Sequence, residues 1–176
     1  MVKIIQKENP ILRKIAKEVP VADIVKPKIQ KILKDMSLAL HSQQDGVAIA
    51  APQIAISLRI FIVSGKIFDK SFIQGKELNE EELSNEVHHP DLVFINPILK
   101  KISKDKKLLE EGCLSVRPIW GKVNRATKAT VEAYDKHGKK FIRGGSGLLA
   151  HIFQHEIDHL EGILFIDKAK NMREIL

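Results

Sequence analysis

The stretch Gly147-Leu148-Leu149-Ala150-His151-Ile152-Phe153-Gln154-His155-Glu156-Ile157-Asp158-His159-Leu160 decides the reading of this chain. Leu148, Leu149, Ile152, Phe153, Ile157 and Leu160 recur three or four apart, as on the buried face of a helix. Ser146 stands where an N-cap belongs, and Gly162 where a helix stops. On such a helix His155 and His159 project from one face a turn apart, so both rings reach one metal ion. Glu156 is placed to take a proton from a water at that ion. His151 extends the row but lies about 12 Å from His159 along the axis, at about 1.5 Å per residue. Metal–nitrogen bonds are only about 2.0–2.1 Å, so His151 reads as a rim or packing residue. Gln154 points off the ligand face and reads as structural; Asp158 is a candidate partner for orienting His155.

A catalytic site of this kind wants a third protein ligand and one open position. Downstream there is none: Phe165 stands where a metzincin carries its third histidine, Glu161 is too near, and Glu174 is at the far end. Upstream, Glu110-Glu111-Gly112-Cys113-Leu114-Ser115 contains the one cysteine of the chain. Cys113 with His155 and His159 gives one sulfur, two nitrogens and an open position. Taken alone, Cys113 is equally compatible with a buried inert thiol.

Outward from the helix, the remaining pattern is mostly strand. Residues 58–63 read as a buried strand, 92–96 as a strand stopped by Pro97, and 98–103 and 106–109 as further strand pieces. Residues 130–134 and 140–142 alternate apolar and polar around Asp135-Lys136-His137-Gly138, a hairpin signal. One other helix opens at Pro27, with Ile29, Ile32, Leu33, Met36 and Leu40 as its buried stripe. Residues 64–91 read as a mobile insertion. Strands outnumber helices without alternating with them, so the expected class is α+β, in a single domain over 1–176.

The 176 residues carry 44% hydrophobic and 29% charged side chains, which excludes a disordered or fibrous class. No apolar run is long enough to span a membrane. The start, Met1-Val2-Lys3-Ile4-Ile5-Gln6-Lys7-Glu8, lacks a signal core, and a lone thiol suits a reducing compartment, so a cytoplasmic location is expected. The net charge of +7 favours anionic contacts. Aromatics are only 5% and do not interleave with the basic residues, so no specific nucleic-acid partner is expected.

Three segments together resemble peptide deformylase: Gly46-Val47-Ala48-Ile49-Ala50-Ala51-Pro52-Gln53, Glu111-Gly112-Cys113-Leu114-Ser115, and Gln154-His155-Glu156-Ile157-Asp158-His159. The resemblance covers nearly the whole chain. It implies antiparallel β-sheets packed around a central metal-binding helix, and removal of the N-formyl group from the formylmethionine of newly made polypeptides. It implies one divalent ion, natively Fe(II), with Zn(II) or Ni(II) also able to occupy the site. Its ligands would be Cys113, His155 and His159, with Glu156 as acid/base. The Gln53 amide and the Leu114 N–H would meet the formyl oxygen, and Gly46 and Ala48 would lie along the substrate. Glu111 is expected on the same side, holding Gln53 or the cysteine loop. Arg125 matches a family position after the cysteine loop, where structural salt bridging explains it as well as a function does.

Two segments depart from the family. Ala48 replaces a usual glycine, where a methyl crowds the substrate or restricts φ. Val116-Arg117-Pro118 replaces Val-Pro-Gly, adding a charge to the rim. The chain also lacks the long basic tail helix with which some members dock on ribosomes, although ribosome contact stays open. A zinc peptidase of another class lacks its downstream ligand, and a non-catalytic binding protein has no use for Glu156.

Overall fold

The computed structural model describes residues 2–75, 79 and 87–175. Helix α1 (Pro27–His41) begins on the proline, as fixed φ and a missing donor favour, and buries Ile29, Ile32, Leu33, Met36, Ala39 and Leu40. A short α2 (Lys70–Gln74) and α3 (Gly147–Leu160) are the other α-helices among the described residues. One sheet runs in the order β1 (Ala48–Ala50), β2 (Ile60–Val63), β3 (Leu92–Ile102), β6 (Lys128–Tyr134), β7 (Lys140–Ser146), with all neighbours antiparallel. The second comprises β4 (Lys106–Gly112), β5 (Ile119–Ala126) and β8 (Lys170–Glu174).

Helix α3 lies between the sheets, touching β1, β2, β3, β6 and β7 of one and β5 of the other. This explains the unbroken apolar run in β2. Phe61 and Val63 join Phe94, Val131, Ala150 and Phe153 on the α3 side. Ile60 and Ile62 join Ile29, Leu33 and Met36 on the α1 side. A strand covered on both faces loses the polar half of its alternation. The rings of Phe61 and Phe94 stack at 4.5 Å, with Phe153 edge-on to Phe94 at 5.2 Å, which ties α3 to the sheet by aromatic burial.

Pro97 does not stop the third strand. β3 continues to Ile102 through a register shift between Ile95 and Ile98. Asn96 takes φ 50 there, and its side chain bonds the N–H and C=O of Val19 at 2.8 and 2.7 Å. The proline falls in an irregularity where no ladder bond requires its missing N–H. Ser146 occupies the N-cap position without a side-chain cap bond. It still belongs to β7, opposite Lys128, and Gly147 at φ +56 turns strand directly into helix. Gly162, at φ +72, ends the helix as expected; a Cβ there would sit 2.6 Å from the Arg13 carbonyl oxygen. The region 64–91 holds a 3₁₀ turn (Gly65–Phe68) and α2, so its first part is helical. Residues 76–78 and 80–86, where the rest of the insertion reading falls, lie outside the described residues.

Candidate active site

Helix α3 brings the His155 and His159 rings to 5.0 Å between centroids. β4 runs alongside β5 and ends at Gly112, delivering Cys113 to them: Cys113 Sγ lies 3.3 Å from His159 Nε2. One ligand atom from each of Cys113, His155 and His159 falls within 4.8 Å of the others.

A buried network holds this cluster from behind. His155 Nδ1 donates to Glu111 Oε2 at 2.9 Å, which leaves its Nε2 lone pair for a ligand. His151 Nε2 donates to Glu111 Oε1 at 2.6 Å. The Arg125 guanidinium grips both Glu111 oxygens at 2.6 and 3.1 Å, and Asp158 Oδ2 at 2.7 Å. Burial pushes the Glu111 carboxyl up, but hydrogen bonds from His151, His155 and Arg125 outweigh it and hold it well below the usual carboxylate range. Glu156 is the opposite case: 4% exposed, with Oε2 unpartnered, it is pushed up by burial to about 7. Burial pushes His159 well below its ordinary value. At His155 burial acts in the same direction, but hydrogen bonds with Cys113 and Glu111 hold that ring high.

A divalent cation fits these residues. A sulfur and two imidazoles converge, one ring is oriented by an ionised carboxylate, and close-set donors with opposed proton affinities suit a cation that displaces protons. Cys113 and His155 line a cleft of about 450 Å³ together with Gly46, Ala48, Gln53, Glu111, Leu114 and Glu156, while His159 is buried behind them.

Gln53 sits in a 3₁₀ turn (Ala51–Ile54). Its Oε1 accepts from the Ala50 N–H at 2.8 Å and its Nε2 donates to Ser115 Oγ at 3.1 Å, so the amide is fixed toward the cysteine loop. The Gln6 amide donates to the Leu114 carbonyl at 3.0 Å. Ala48 has no positive φ; it pairs with Val63 in an ordinary strand, so its methyl causes no backbone strain.

Several expected contacts are redistributed. Glu111 holds the two histidines and Arg125 rather than Gln53, whose side-chain partners are Ala50, Ser115 and the Cys113 sulfur. The orienting partner of His155 is Glu111 and not Asp158, which pairs with Arg125 and Lys168. His151 stays out of the ligand cluster, as helix geometry requires, but joins the network rather than merely packing. Gln154 is structural: its amide clamps the N–H and C=O of Ala126, both at 3.0 Å. Ser115 had no signal in the sequence beyond its place after the cysteine.

No helix among the described residues is long and apolar enough to cross a membrane. The family model for polypeptide deformylase matches residues 1–174. Peptide deformylase 1A, chloroplastic/mitochondrial, of Arabidopsis thaliana is 40% identical over 94% of the chain, which spans 60% of that longer relative. Peptide deformylase of Carboxydothermus hydrogenoformans is 38% identical over 97% of this chain and 94% of its own. A crystal structure of class I type b peptide deformylase from Acinetobacter baumannii with Met-Ala-Ser bound superposes with a TM-score of 0.79, at 30% identity, covering 96% of this chain and 98% of that one. With a relative of nearly its own length and a family match almost end to end, the chain belongs to the polypeptide deformylase family, metal-dependent hydrolases that remove the N-formyl group from the N-terminal formylmethionine of newly synthesised polypeptides.

Proposed function

We propose that Cys113, His155 and His159 hold one divalent ion, Fe(II) in the cell with Zn(II) or Ni(II) able to replace it, and that Glu156 is the acid/base of deformylation. The observation that carries this is the convergence of three donor atoms within 4.8 Å, two of their residues lining the same cleft as Glu156. A bound divalent cation supplies Lewis acidity, which brings a water's pKa to about 7 and polarises a carbonyl oxygen. Glu156, buried beside the cluster, takes the proton from the attacking water and returns it to the departing amine, without which the amine leaves poorly. The Gln53 amide and the Leu114 N–H meet the charge growing on the formyl oxygen; losing one such donor costs about 10²–10³ in rate. Glu111 orients His155 and forms part of the cleft wall, while Gly46 and Ala48 flank the peptide. The Met-Ala-Ser seen on the Acinetobacter baumannii enzyme supports a peptide in this cleft. Residues 1–176 act as one catalytic domain in the cytoplasm, where a lone thiol stays reduced, and the surplus positive charge suits ribosome contact.

The test is formate release from formyl-Met-Ala-Ser together with metal analysis. Anaerobically prepared protein carries about one iron per chain and loses activity in air. Glu156→Ala keeps the metal and loses about 10²–10⁴ in kcat. Unchanged turnover in that variant would falsify the acid/base assignment.

A further inference from the structure

The mouth of the cleft is crossed by an ion pair that deformylation itself does not use. Arg117 Nη2 lies 2.5 Å from Asp45 Oδ1, joining the loop after Cys113 to the loop before β1, and both residues line the cleft. Their side chains are 47% and 63% exposed. The two carboxylates that β4 gives to the cleft are already held: Glu110 by Arg173 at 2.9 Å, and Glu111 by Arg125. Asp45 has a second cation nearby. Lys66 Nζ donates to the Gln44 carbonyl at 2.8 Å, within reach of the Asp45 charge. Two cations against one carboxylate leave this rim with a positive surplus. Only Arg117 of the two faces the cleft. A peptide whose formyl end sits at the cysteine–histidine cluster leaves past it.

The geometry points to Arg117 as a specificity residue that exchanges Asp45 for an acidic side chain at the second or third position of the formyl peptide. This rests on the active-site reading above. The exchange strands no charge, because Asp45 is 63% exposed and water takes the place of the guanidinium, whose fork takes the new carboxylate bidentately. Pro118 stiffens the backbone that presents Arg117. A basic side chain at the same place meets the like charge of Arg117. The pair is exposed, so the discrimination is a few-fold and sensitive to salt.

The experiment measures kcat/KM of metal-loaded enzyme on formyl-Met-X-Ser and formyl-Met-Ala-X, with X as Asp, Asn or Lys, at low and high KCl. In one series Asp exceeds Asn by about 3–5-fold at low salt, with Lys poorest, and high salt erases the difference. Arg117→Ala brings the Asp/Asn ratio to one, whereas Arg117→Lys retains part of it. Equal rates for Asp and Asn in the native enzyme, or a ratio that survives Arg117→Ala, overturn this inference while deformylation stands. An enzyme that turns over none of the peptides overturns the active-site reading, and this inference with it.

Discussion

Two arginine–carboxylate pairs flank the same cleft and differ chiefly in their access to water. Arg125 and Glu111 meet at 2.6 Å with side chains 4% and 2% exposed. Arg117 and Asp45 meet at 2.5 Å with side chains 47% and 63% exposed. Distance alone would rank them equal. Inside, each charge depends on its partner because solvent cannot replace it; at the rim, water can substitute for either one. The buried pair fixes the ligand set, while the exposed pair is free to exchange partners.

The largest expected effect tests the buried side. Arg125→Ala leaves Glu111 and Asp158 without their shared cation and lowers stability by about 3–5 kcal/mol, read from urea unfolding. The same change loosens the carboxylate that orients His155, so metal affinity falls about 10–100-fold in a chelator competition. A loss of stability within the range of an exposed pair would erase the distinction drawn here.

Glu156 sharpens the comparison from another direction, since it is buried with no cation gripping it. Burial pushes its carboxyl up to about 7 in the folded metal-free protein, from an ordinary 4.5. The folded state therefore binds the proton more tightly. Below about 4.5 both states are protonated and nothing is lost. Between 4.5 and 7 folding becomes progressively less favourable as pH rises, and above 7 the full penalty, on the order of 3 kcal/mol, applies. Subtracting the unfolding curve of metal-free Glu156→Gln from that of the native protein isolates this contribution, because the histidines titrate in both. A flat difference between pH 5 and 8 contradicts the assignment.

The parts of the molecule legible in the sequence are those whose physics is local. The period of α3 and the four-residue spacing of His155 and His159 are properties of one helix, and Cys113 is singled out by its chemistry. Glu111 is legible as a supporting residue but its partners are not, because they come from α3 and β5, a meeting that no spacing along the chain reveals. β8 (Lys170–Glu174) left no trace because all five residues are exposed and show no apolar alternation. Pro97 misled because its usual meaning, a missing donor, is cancelled by a register shift that only the neighbouring strand displays.

The smallest expected effect falls on the rim, and its smallness is informative. Arg117→Ala removes a 2.5 Å ion pair, yet both partners are wet, and solvent takes up the Asp45 charge once the guanidinium is gone. The expected change in unfolding free energy is about 0.2–1 kcal/mol, shrinking in high salt. A pair that adds this little to the fold opens at little cost when a substrate carboxylate arrives. A loss above about 2 kcal/mol, outside the range of exposed pairs, would mean that Arg117 is structurally committed to Asp45. Its guanidinium would then be unavailable to a peptide, and the contrast between a fixed interior and an exchangeable rim would have to be abandoned.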